Sequence, residues 1–247
     1  MKVLGVETST GILGVAVVDG PRLLLEANHD AQRTHAERLL PLVAETLRTL
    51  GLRPADLDGV AASAGPGSFT GLRIGLAVAK GLAFALGKPL CGVGTLEALA
   101  HNLTPTGNLV SPLLDARHGE VYAALYRAGP PMPTAVIGPS VLPLERWLRR
   151  LADELPLGER VWFAGEAAQS RWPEVEKGLG ERGALAATPD RLPRAASVAD
   201  LGRLRLEAGE GRNPLEVGAI YLRPSQAEML WEKRHGGRSS FPADDGR

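Results

Sequence analysis

Three short segments of this 247-residue chain hold the residue types that chemistry needs. The first is Glu7-Thr8-Ser9-Thr10-Gly11, set between two apolar runs. Its hydroxyls and backbone N–H groups suit a phosphate, and Glu7 could order a metal or a water. The same residues also make an ordinary polar hairpin turn. The second is Ala64 to Arg73, AGPGSFTGLR, between a strand-like run and a helical one. Gly65 and Gly67 permit a sharp turn, and Ser68 or Thr70 can cap the helix that follows, leaving N–H groups for an anion or for a purely structural bend. It is neither a Gly-Lys-Ser/Thr phosphate loop nor a dinucleotide fingerprint. The third is Asp115-Ala116-Arg117-His118-Gly119-Glu120, where Asp115 is either a handle for metal or phosphate or part of a turn.

What is missing narrows the chemistry. The five histidines form no His-x-x-x-His pair, so a metalloprotease lacks its ligands. Ser68 does not sit in a Gly-x-Ser-x-Gly elbow. Cys91 is the single cysteine, which excludes an intrachain disulfide and a cysteine zinc cluster, and points to a reducing, cytoplasmic compartment. With 28 basic and 28 acidic side chains and 4% aromatic residues, the chain offers neither a phosphate track nor stacking platforms for direct RNA reading. No signal peptide or membrane span is expected.

The elements that must position these segments follow from periodicity. Strands are expected at Lys2–Glu7, Leu13–Val18 and Arg22–Asn28, the last two joined at Asp19-Gly20, and again at Gly59–Ala64, Leu90–Val93, Leu109–Leu114, Glu120–Tyr126 and Val161–Ala164. Helical spacing covers Thr34–Leu50, with Pro41 expected to kink it or mark its first turn, then Thr70–Leu86, Leu144–Leu151 and Ser197–Ala208. Ala128 to Pro143 reads as irregular connection holding at most one strand. Between Gly71 and Leu86 only Arg73 and Lys80 are charged, so the helix is apolar all round and must be covered all round. Gly71, Gly75 and Ala79 recur every four residues, a flat strip for close approach, either to this chain or to a second polypeptide. Strand hairpins followed by alternating helices and strands give an α/β chain with mixed sheets, and the strand cluster from Leu109 echoes the start, implying two small related lobes.

In order and spacing, MKVLGVETST, GVAVVD, THAERLLPLV, ASAGPGSFTGLRIGLAVAKGLA and LLDARHGEVYAALY, with YLRPSQAE near the end, resemble the bacterial TsaB (YeaZ) family. GPGSFTGLR, residues 65–73, is the most specific of these. The resemblance implies an actin/Hsp70/sugar-kinase-like (ASKHA) fold, with an N-terminal lobe at 1–105 and a C-terminal lobe at 106–215. A helix at 216–234 would return to the first lobe, and the polar tail 235–247 would be disordered. It implies a non-catalytic subunit that partners a TsaD-like catalytic protein, with a TsaE-like ATPase, in threonylcarbamoyl transfer to the adenosine beside the anticodon of ANN-decoding tRNAs. Such a subunit touches tRNA only indirectly, avoids membranes and forms a homodimer when alone.

Mapped onto this sequence, the partner surface would be His35, Leu39, Val43, Gly71, Leu72, Arg73, Gly75, Leu76 and Ala79. The fold's nucleotide cleft would survive only as a vestige at Thr8, Ser9, Thr10, Gly11 and Asp115, its adenosine side reduced to Gly165. No metal site and no cofactor are then required by this chain alone, and ATP enters only in the complex. The competing reading is a small ATP-dependent kinase or acyl-transferase of the same fold, using Thr8–Gly11 for phosphate and Asp115 as base.

Overall fold

A computed structural model describes residues 1–31, 34–156 and 158–223. The chain opens with β1 (Lys2–Glu7), β2 (Ile12–Asp19) and β3 (Arg22–Asp30), then α1 (His35–Thr49), β4 (Gly59–Gly65), α2 (Phe69–Leu86) and β5 (Leu90–Gly94). These strands form one sheet in the order β3-β2-β1-β4-β5. The first three are antiparallel neighbours, while β4 runs parallel to β1 and to β5. A second set repeats the plan: β6 (Leu109–Asp115), β7 (Glu120–Arg127), β8 (Thr134–Pro143), β9 (Val161–Ala164) and β10 (Gly183–Leu185), ordered β10-β9-β6-β7-β8 with matching strand directions. The echo in the sequence is thus a repeated topology.

Alternation decides what lies on each face. From the first sheet Leu4, Val6, Val60 and Ala62 point to α1 and α2. Their neighbours Val3, Ala16 and Ala61 point to α7 (Ala195–Glu207). Both faces being covered, every residue of β4 is buried. The second sheet packs one face on α4 (Leu144–Glu154), α5 (Glu166–Ser170) and α6 (Trp172–Leu179), and the other on α3 (Thr95–His101). The lobes therefore exchange helices. α3, within the span expected for the first lobe, covers the second sheet, and α7, within the span expected for the second, covers the first. Each inner sheet face thus takes its apolar cover from a helix outside the span, 1–105 or 106–215, that holds its own strands.

Other differences from the sequence reading are local. α1 runs unbroken through Pro41, which sits on the exposed side and forgoes one backbone bond. The one strand allowed for after Ala128 is present, as the ten-residue edge strand β8. Gly138 and Pro139 fall where its pairing to β7 skips, a position that an edge strand tolerates. α3, α5, α6 and β10 were too short to show a period. Residues 217–221 return to the first lobe as irregular backbone, where a helix was expected. Residues 224–234 and the tail 235–247 lie outside the described residues.

Candidate functional site

The first turn is built into the core. Thr8, Ser9 and Thr10 are buried and only Gly11 faces solvent. The Thr8 amide donates to Ser63 Oγ at 3.2 Å, and the Ser9 amide and hydroxyl both donate to Glu7 Oε1, the amide at 2.6 Å. Thr10 Oγ1 accepts from the Ile12 amide at 3.2 Å. The second segment closes over the turn: the Ser68 amide donates to the Ser9 carbonyl at 2.7 Å. A Cβ on Gly71 would stand 2.1 Å from the Thr8 carbonyl oxygen, and one on Gly75 would stand 2.0 Å from Thr8 Oγ1. The close approach that the small-residue strip permits is therefore made within this chain. Burial pushes the Glu7 carboxyl up to about 7, against the opposing hydrogen bonds from Ser9. Its Oε2 and Thr8 Oγ1 have no hydrogen-bond partner.

A phosphate needs free, accessible donors. The Thr8 amide and both donors of Ser9 are spent inside the protein, and the unpartnered Thr8 hydroxyl is buried beneath α2, so neither residue offers a nucleotide phosphate an accessible donor. The turn is the seat of α2, whose Ser68 cap accepts from the Gly71 amide at 3.2 Å.

Asp115 lies apart from that turn in the chain, exposed at the end of β6, where its Oδ1 accepts from the Arg117 amide at 2.8 Å. Arg117 and His118 both hold left-handed backbone, φ +64° and +53°. Burial raises the nearby Glu166 carboxyl; the Asp115 amide opposes that rise and the Asp115 charge reinforces it. Gly165 spends its amide on the Arg191 carbonyl at 2.6 Å. Among the described residues no three His, Cys, Asp or Glu side chains converge on a possible metal position.

The remaining candidate is a surface. His35, Leu39, Val43, Gly71, Leu72, Gly75, Leu76 and Ala79 are all buried within this chain, which places them on the inward faces of α1 and α2. Of the residues mapped to a partner only Arg73 is exposed. The outward face of α2 is a different stripe: Arg73, Ala77, Gly81 and Ala85 at four-residue spacing, with Phe84 beside them at 65% exposure. A Cβ on Gly81 would meet nothing within 4 Å. α1 packs beside α2 and adds the exposed Leu40. The sequence carried this second strip, Ala77-x-x-x-Gly81-x-x-x-Ala85, as plainly as the first; Phe84 on its flank was the signal that could have singled it out. Over its 18 residues α2 is apolar enough, at mean hydropathy 1.5, to match a membrane span in length and composition. Its inner face, however, is packed against the first sheet.

Comparison with known proteins agrees with this architecture. The profile of the TsaD family, described as tRNA N6-adenosine threonylcarbamoyltransferase, matches residues 28–179. A Bacillus subtilis protein named tRNA threonylcarbamoyladenosine biosynthesis protein TsaB is 31% identical over 94% of this chain and 98% of its own length. Its Escherichia coli namesake is 32% identical over 96% of this chain and 99% of its own. YeaZ from Pseudomonas aeruginosa superposes with TM-score 0.76 at 30% identity, covering 90% of this chain and 99% of that one. Component A of the Acidaminococcus fermentans (R)-2-hydroxyglutaryl-CoA dehydratase, at TM-score 0.52 and 10% identity, shares the fold alone, which is of the actin/Hsp70/sugar-kinase type.

Proposed function

Because the chain belongs to the TsaB family, we propose that it serves tRNA threonylcarbamoyladenosine biosynthesis as a non-catalytic subunit, docking a TsaD-like catalytic protein on the outward face of α2. The observation that carries this reading is the exposed apolar stripe of Ala77, Gly81, Phe84 and Ala85 on a helix whose opposite face is fully used. A stripe of small residues ending in an exposed aromatic suits another helix, which can approach closely and cover the ring. Covering Phe84 alone is worth about 2 kcal/mol. A homodimer of the free protein through the same stripe, and a TsaE-like ATPase joining the assembled pair in the cytoplasm, complete the proposal. The tRNA is then met by the partner, in keeping with the zero net charge of this chain.

The kinase or acyl-transferase alternative requires an open phosphate turn, and Thr8 and Ser9 are closed off by the chain itself. Calorimetric titration with the TsaD-like protein tests the docking reading. Gly81→Arg, which has open space in the free protein, should abolish binding and leave the thermal melt intact. Binding of that variant at wild-type affinity would place the contact elsewhere.

A further inference from the structure

We infer that residues 217–223 form a strap that couples the outward face of α2 to the Asp115–Glu120 turn of the second lobe. The strap is seated on the first lobe by backbone. The Ile220 amide donates to the Ala64 carbonyl at 2.7 Å, and a Cβ on Gly65 would stand 2.5 Å from the Ile220 carbonyl oxygen. Tyr221 then reaches the first turn of α2. Its ring lies 5.3 Å from that of Phe69, and its hydroxyl accepts from Arg73 Nε at 3.2 Å, while the Arg73 guanidinium rides 3.9 Å over the Phe69 ring. Two residues on, the chain has crossed to the other lobe. Arg223 Nη1 lies 2.8 Å from Glu120 Oε2 and donates to the Ala116 carbonyl at 3.3 Å.

The two ends are unlike in a way that makes coupling effective. Phe69, Arg73 and Tyr221 are exposed, so whatever covers the start of α2 must bear on them. At the far end, Arg223 grips a turn in which two non-glycine residues hold left-handed backbone, a conformation kept only where surroundings enforce it. Among the described residues the rest of the contact between the lobes includes a polar seam, with His101 on Asp200 at 3.0 Å and Arg205 on Glu97 at 2.6 Å. Polar seams of this kind slide more readily than apolar cores. Tension or slack in the strap is thereby transmitted to the turn.

Hydrogen exchange on the full chain tests this without a partner. Glu120→Gln, which touches only the far end, should speed exchange of the Ile220 amide at least ten-fold. Tyr221→Phe, which keeps the ring and loses the Arg73 bond, should speed exchange of the Ala116 and Glu120 amides at least three-fold, with β1 amides unchanged in both. Effects confined to the mutated end would overturn the strap. A further arm rests on the docking reading: adding the TsaD-like protein should slow exchange at 116–121 in the wild type and not in Glu120→Gln. Loss of binding by the wild type would refute docking; binding with the same response in both proteins would refute the strap.

Discussion

Glu7→Gln asks whether the first turn is truly sealed. Raising a carboxyl from its ordinary 4.5 to about 7 by burial corresponds, at about 1.4 kcal/mol per pH unit, to about 3 kcal/mol. The sign follows from which state holds the proton. Between pH 4.5 and about 7 the native protein keeps a proton on Glu7 that the unfolded chain has released, so stability falls as pH rises through that window and levels off above it. Glutamine cannot titrate and retains an oxygen for the Ser9 amide and hydroxyl, while its amide group inherits the position of the unpartnered Oε2. That last cost, about 1–2 kcal/mol, is independent of pH. Urea unfolding at pH 5, 6, 7 and 8 should therefore show the variant gaining on the wild type by about 2.5 kcal/mol across the series, the first part of the shift lying below pH 5. Parallel stability curves would refute the reasoning: Glu7 would then titrate as a solvated acid, and the turn would be open enough for a phosphate after all.

Substitution should separate the two strips of small residues on α2. Gly75→Ala puts a methyl 2.0 Å from Thr8 Oγ1 and should cost about 1–3 kcal/mol in urea unfolding through overpacking. Gly81→Ala meets nothing and should stabilise by up to about 1 kcal/mol through helix propensity, measured the same way. Phe84→Ala should leave the melt within a degree or two and weaken binding of the TsaD-like protein about ten-fold or more by calorimetry. Trp147→Phe strips the 2.9 Å bond from Nε1 to the buried Ser111 Oγ and should cost about 1–2 kcal/mol in the second lobe.

Much was legible from the residues alone, because it depended on neighbours in the chain. Apolar alternation and the Asp19-Gly20 turn marked β2 and β3, and the ends of α2 were announced by Ser68 and by Gly87, which takes the left-handed cap at φ +62°. The excess apolarity of α2 announced that it meets more than one surface. Which surface meets which residue was not legible. A helix greasy on every side has no moment to orient it, so Gly71-Gly75-Ala79 and Ala77-Gly81-Ala85 were equivalent strips until the Thr8 backbone took up the first.

The same dependence on distant contacts hid the rest. Thr8 to Thr10 form a turn with the composition of a phosphate cradle, and it is Ser68, almost sixty residues on, that closes it. α3 and α7 exchange lobes because each inner sheet face takes the apolar helix nearest in space, whatever its place in the chain. Sequence determined the elements, their periodicity and the surplus of apolar surface, since those are local and additive. Only the tertiary structure decided which part of that surplus is buried within the chain and which stays exposed, because burial is a property of the neighbours a residue acquires.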